Sequence, residues 1–137
     1  MGVLYLDAST VVKLVLDEPE SDDLRAYLCE ADLVSCELLL TEVPRSVWRA
    51  VVRDPRLPME VLVERVAQVI DNIALAPLDR GLLRAAGSLA EPSLSALDAI
   101  HVTAAIGLLP LEAFVTYDER QAAAARLAGL PTATPGT

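Results

Sequence analysis

Short runs of β-branched and apolar residues alternate with longer stretches of helical periodicity along the chain, which leaves few folds open. Val3 to Leu6, Leu33 to Ser35, Ile73 to Ala76 and Ala113 to Thr116 are strand candidates. Thr132 to Thr134 is a candidate edge strand. Between them, apolar residues recur at helical spacing, as in Val61, Leu62, Val66, Val69 and Ile70. Helices are predicted over Val11 to Leu16, Ser21 to about Glu30, Glu37 to Arg53 and Met59 to Ile70. Three more run from Asp79 to about Leu89, Ser95 to about Leu108, and Glu119 to Ala128. Strands that alternate with helices imply a mostly parallel sheet covered on both faces. No linker, repeat or low-complexity tract divides the 137 residues, so one domain is expected over 1–137.

Local signals sharpen several boundaries. Ser9 or Thr10 is expected to cap the first helix, Asp79, Ser95 and Asp118 later ones. Pro55 and Pro58 separate two helices, and Gly129 suits a left-handed helix terminus. Pro44 sits inside the predicted long helix, where it removes a backbone donor and crowds the preceding turn. Either that helix starts later, or it kinks there.

Apolar residues make up 53% of the chain and mean hydropathy is +0.42, a globular composition. The most membrane-like stretch, Ala99 to Leu111, contains His101, Thr103 and Pro110. It falls well short of the ~20 apolar residues that span a bilayer, and no membrane association is expected. No basic region precedes the first apolar run and Asp7 interrupts it, which argues against a secretory leader. Cys29 and Cys36 form no Cys-x-x-Cys pair; they are expected to pack as small apolar groups in a reducing cytoplasm. The net charge is −9, from 11 basic and 20 acidic residues. That argues against bulk electrostatic capture of nucleic acid, so any phosphate contact has to be local. Lys13 is the single lysine; the other cations are arginines, suited to bidentate contacts.

Four acids then stand out. Asp7 and Asp118 follow strand candidates, Asp98 lies at a helix start, and Glu42 lies within a helix. Each has a plain structural explanation: an Asx turn for Asp7, a capping box with Ser95 for Asp98, an N-cap for Asp118, and pairing with Arg45 or Ser46 for Glu42. Jointly they point elsewhere. The ends of parallel strands and the starts of following helices share one sheet edge, where ligands bind. Several carboxylates gathered there repel one another unless a cation sits among them. Hard divalent ions take oxygen ligands, and Mg²⁺ keeps several waters, an arrangement suited to metal-assisted phosphodiester hydrolysis.

Three segments carry a family resemblance: Val3-Leu4-Tyr5-Leu6-Asp7-Ala8-Ser9 with Val12-Lys13-Leu14, Leu97-Asp98-Ala99-Ile100-His101, and Phe114-Val115-Thr116-Tyr117-Asp118-Glu119-Arg120. Over about residues 3 to 134 the chain resembles the PIN-domain nucleases, and more closely the VapC toxins of bacterial toxin–antitoxin pairs. The resemblance implies a PIN-like three-layer sandwich and a Mg²⁺- or Mn²⁺-dependent site. Asp7, Glu42, Asp98 and Asp118 match its metal-coordinating positions; Ser9 and Thr116 match hydroxyls that support them. It further implies endoribonuclease cleavage of structured RNA such as tRNA or rRNA, a homodimer, and a small cognate antitoxin with a basic segment.

Other features bear on that expectation. Arg45, Arg49 and Arg53 recur every four residues and form one helix stripe, either a solvated face or a track for RNA phosphates. Trp48, beside the stripe, is expected in a core or dimer interface. His101, about one turn after Asp98, is read as a hydrogen-bonded structural residue and left out of the site. Haloacid-dehalogenase-type phosphatases need an acid at Ser9, and response-regulator receivers need a lysine after a late strand. No glycine-rich phosphate loop or Ser-His-Asp order is present. The remaining alternative is a non-catalytic module of the same fold whose acidic groove captures a basic peptide.

Overall fold

The computed structural model describes residues 2–137. Five strands form one parallel sheet: β1 (Val3–Leu6), β2 (Asp32–Cys36), β3 (Ala74–Ala76), β4 (Ala113–Val115) and β5 (Thr132–Ala133). Their spatial order is β3-β2-β1-β4-β5. The chain therefore winds outward in one direction from β1 and in the other from β4. Those two strands meet at the topological switch point, where a crevice opens beyond the strands' carboxyl ends. β1 and β4 are central and nearly all buried, as strands covered on both faces must be.

Side chains alternate across the sheet, so the two faces bury different sets. Leu4, Leu6, Ala113 and Val115 pack on α1 (Ala8–Val15), α2 (Ser21–Leu28), α3 (Leu39–Arg53) and α4 (Met59–Asp71). Tyr5, Cys36 and Phe114 face the opposite layer, with α5 (Arg80–Gly87), α6 (Ala96–Gly107) and α7 (Glu119–Leu127). The result is the expected three-layer α/β sandwich.

Boundaries shift in two informative places. Asp7, not Ser9 or Thr10, caps α1: its carboxylate accepts from Thr10 N at 3.0 Å, and the helix starts at Ala8. The β2–β3 ladder runs one residue further than its hydropathy suggests, with Glu37 N donating to Ala76 O, so α3 starts at Leu39. Pro44 then lies in the second turn and leaves the Leu40 carbonyl without its helical donor. Leu40 is exposed, where solvent can replace that bond. The helix starts two residues later than predicted, with Pro44 still inside it.

Two packing expectations also change. Cys36 is buried as expected, whereas Cys29 is exposed beyond the end of α2. Trp48 is 53% exposed and does not belong to either core. No helix among the described residues is long and apolar enough to cross a membrane.

Candidate active site

The sheet register sets two of the predicted residues side by side. Leu6 pairs with Val115, so the next residues, Asp7 and Thr116, leave the central strands together. Asp7 N donates to Val115 O at 3.3 Å, and Thr10 Oγ1 to the same carbonyl at 2.8 Å. The Asp7 carboxylate is only 2% exposed and fully engaged. Its Oδ1 accepts from Ser9 Oγ at 2.7 Å and Thr10 N at 3.0 Å; its Oδ2 accepts from Thr116 Oγ1 at 2.5 Å. Burial still outweighs those bonds and pushes the Asp7 carboxyl above its usual range.

Thr116 extends the network to the neighbouring acid. Its Oγ1 accepts from Asp118 N at 3.1 Å, while the Asp118 carboxylate caps α7 by accepting from Gln121 N at 3.1 Å. Gln121, 1% exposed, places Oε1 3.3 Å from Thr116 Oγ1 and donates from Nε2 to Asp98 O at 3.4 Å. It joins α7 to the start of α6.

Asp98 occupies the first turn of α6, where its backbone N–H donates to Ser95 Oγ at 3.3 Å. Burial raises its carboxyl above the usual range; a Ser95 hydrogen bond lowers it, and the negative charges of Asp118 and Glu42 add to the rise. Asp118 and Glu42, from two other parts of the chain, therefore both sit within electrostatic reach of Asp98. Glu42 lies in the first turn of α3, and its Oε1 accepts from His101 Nε2 at 2.6 Å. His101 Nδ1 faces the Tyr5 hydroxyl at 2.8 Å and Cys36 Sγ at 3.7 Å. Burial alone would lower the imidazole, but the bonds to Cys36 and Glu42 prevail and hold it up at about 10.

The arrangement is open. Among the described residues, no three His, Cys, Asp or Glu side chains form a group able to hold a metal ion. Asp7, Glu42 and Asp118 each accept hydrogen bonds from protein donors. Two cavities border the acids without including Asp98 or Glu42. A groove of about 490 Å³ runs past Ser9, Lys13, Ser46, Arg49, Arg53 and Tyr117. A second, of about 440 Å³, is lined by Thr116, Asp118 and Arg126 among others.

The arginine stripe stays together: Arg45, Arg49 and Arg53 line one shallow cleft with Trp48 and Val52. Arg49 and Arg53 also reach the groove beside Ser9, and Arg45 also borders an apolar cleft with Pro44, Trp48 and Met59. Lys13 is committed to Glu18 at 2.9 Å and Glu20 at 3.0 Å, with its ammonium 4.7 Å from the Tyr117 ring centre. The expected pairing of Glu42 with Arg45 or Ser46 gives way to His101. His101 is hydrogen-bonded, as expected, but to a partner the sequence does not reveal. Gln121 and Tyr5 were missed altogether. The available signal was a lone polar residue on each otherwise apolar buried face.

Comparison with known proteins agrees with this architecture. The PIN domain family model matches residues 4–127. The chain is 32% identical to Ribonuclease VapC47 of Mycobacterium tuberculosis over 135 residues, covering 98% of each protein. It is 34% identical to Ribonuclease VapC46 of the same species over 137 residues, covering 98% of this chain and 99% of that one. The crystal structure of M. tuberculosis VapC20, described as a sarcin-ricin loop cleaving toxin, superposes with a TM-score of 0.69. That match covers 96% of this chain and 99% of VapC20 at 16% identity, and it speaks to the fold. With the family model spanning most of the chain and VapC relatives matching 98% of it, the protein belongs to the PIN-domain family, in its VapC branch.

Proposed function

We propose that this protein is a divalent-metal-dependent endoribonuclease, the toxin of a type II toxin–antitoxin pair, acting on structured RNA such as tRNA or rRNA. The observation that carries the reading is the placement of Asp7 and Thr116 at the switch point, with Asp98, Asp118 and Glu42 around them. The ribonuclease names of relatives about one-third identical support the same chemistry.

Mg²⁺ or Mn²⁺ fits these residues by donor chemistry. The acids offer only hard oxygen, and Mg²⁺ needs one or two carboxylates because it retains waters. Two of the acids, Asp7 and Asp98, carry raised carboxyls, a strain that nearby positive charge relieves. Among the described residues, no three of the acids are grouped to ligate one ion directly, so Asp7, Asp98 and Asp118, helped by Glu42, would hold it partly through the waters that Mg²⁺ retains. When bound, such an ion lowers the pKa of a water and offsets charge on the phosphate oxygens. The chain supplies the positioning. Ser9, Thr10 and Thr116 lock Asp7 from three sides, and His101 fixes one oxygen of Glu42. Asp118 is exposed and borders solvent at the mouth.

Arg49 and Arg53 are the local cations that a net charge of −9 makes necessary. Both are exposed, and Arg49 Nη2 donates to Ser46 Oγ at 3.1 Å within the groove beside Ser9. The double variant Arg49→Ala/Arg53→Ala should bind RNA more weakly. It should also flatten the salt dependence by roughly 1.4 in log–log slope, at ~0.7 per single-strand phosphate contact. Filter binding across a salt series measures this, and an unchanged slope removes the arginines from the path.

The partners in this reading are a second copy of the chain and a small antitoxin whose basic segment enters the acidic mouth. Exposed Trp48, Val52 and Val63 give α3 and α4 an apolar surface compatible with a protein partner. The decisive assay uses total RNA. Purified protein should generate fragments with Mn²⁺ or Mg²⁺ and none in EDTA. Intact RNA under every condition, together with capture of basic peptide, would favour a non-catalytic module instead.

A further inference from the structure

We infer that His101, backed by Tyr5, is a positioning residue that fixes the Glu42 carboxylate for its proposed part in metal-dependent cleavage. The inference rests on the nuclease reading above and adds a residue to it.

His101 ties together two helices that carry acids and the strand that leads into Asp7. It lies on α6 three residues after Asp98, and its Nε2 reaches Glu42 on α3 at 2.6 Å. Its Nδ1 meets the hydroxyl of Tyr5, which lies on β1 two residues before Asp7, at 2.8 Å. The Tyr5 ring is itself fixed: it stacks on Phe114 with centroids 5.2 Å apart, and meets the imidazole edge-on at 5.9 Å. His101 and Tyr5 are 1% and 0% exposed. Neither can swing aside without opening the core.

Glu42 needs such an anchor. Its long side chain has several rotatable bonds, and ordering it costs entropy that a rigid partner lowers. The nearby helix also lacks one backbone bond, because Pro44 cannot donate to Leu40. In metal sites, partners that orient carboxylate and imidazole ligands typically contribute 10–100-fold in affinity or activity. The Nε2–H of His101 faces the Glu42 oxygen and leaves Oε2 for other use.

The test exploits His101 being the only histidine. In His101→Gln, Mn²⁺ affinity measured on the full chain without RNA should fall about 10–100-fold. RNA cleavage should recover as Mg²⁺ is raised. An unchanged Mn²⁺ affinity in a folded His101→Gln protein, with only a lower melting temperature, would overturn the inference. If that variant does not fold, imidazole NMR decides. Mg²⁺ should shift the single wild-type imidazole signal, and the shift should vanish in Glu42→Gln. A wild-type signal indifferent to Mg²⁺ would overturn the inference. Wild-type protein whose imidazole responds to Mg²⁺ but which never cleaves RNA would remove the nuclease reading and leave the placement of Glu42 by His101 standing.

Discussion

Asp98→Asn is expected to lower RNA cleavage by about a thousandfold, roughly 4 kcal/mol of transition-state stabilisation, while the fold persists. The structure explains the separation. Asp98 meets its cap through the backbone N–H to Ser95 Oγ, which Asn keeps, and the Ser95 interaction that lowers the carboxyl can pass to the amide oxygen. Among the described residues its carboxylate forms no salt bridge, and burial with the charges of Asp118 and Glu42 pushes it toward protonation against the pull of Ser95 and His101. Removing the charge costs a helix-dipole contribution of about 0.3–1 kcal/mol and relieves that repulsion. Melting temperature and kcat/KM, measured together with Mn²⁺ present, check this. Full activity in a folded variant would count decisively against Asp98 in the site.

Asp7→Asn should cause a loss of similar size, about a thousandfold in cleavage, with a gain in stability at neutral pH. Burial raises the folded-state carboxyl of Asp7 above its ordinary value of 3.8. The folded protein then holds that proton more tightly than the unfolded chain. Its contribution to stability is present at low pH and is lost as pH rises from that value through the raised one. Metal-free wild type should therefore lose stability across that window, and added Mg²⁺ should restore part of it by binding the folded state. Asn lacks the titration. It can still accept from Ser9 Oγ and Thr10 N, and its amide can donate to Thr116 Oγ1, whose hydroxyl can turn to Gln121 Oε1 at 3.3 Å. Metal-free Asp7→Asn should thus melt above wild type at neutral pH and respond less to Mg²⁺. A variant that melts lower and keeps the wild-type pH profile would show that the buried charge is not the source of the cost.

The layered fold was legible because the central strands are short, apolar and buried on both sides, a pattern that excludes most alternatives. Val3–Leu6 and the run into Val115 were placed almost to the residue for that reason. Helix starts were harder. Asp7, Ser9 and Thr10 are all good caps, and only the turn geometry shows that the aspartate reaches Thr10 N. At β2, hydropathy stops before the hydrogen-bond ladder does, since Glu37 N still pairs with Ala76 O. Within the site, acids at strand ends and helix starts announce themselves through topology. The braces do not: His101 meets Glu42 across 59 positions, and Gln121 joins α7 to α6 by side-chain contacts that no periodicity encodes. Cys29 shows the same limit in reverse, an apolar-reading residue left in solvent.

The most direct measurement is anomalous diffraction from crystals soaked in Mn²⁺. The account predicts a Mn²⁺ peak at the switch point, bound by carboxylate oxygen from Asp7 and at least one of Asp98 and Asp118, directly or through one water. Cleavage-competent crystals with no Mn²⁺ there, or with Mn²⁺ bound only elsewhere, would contradict it.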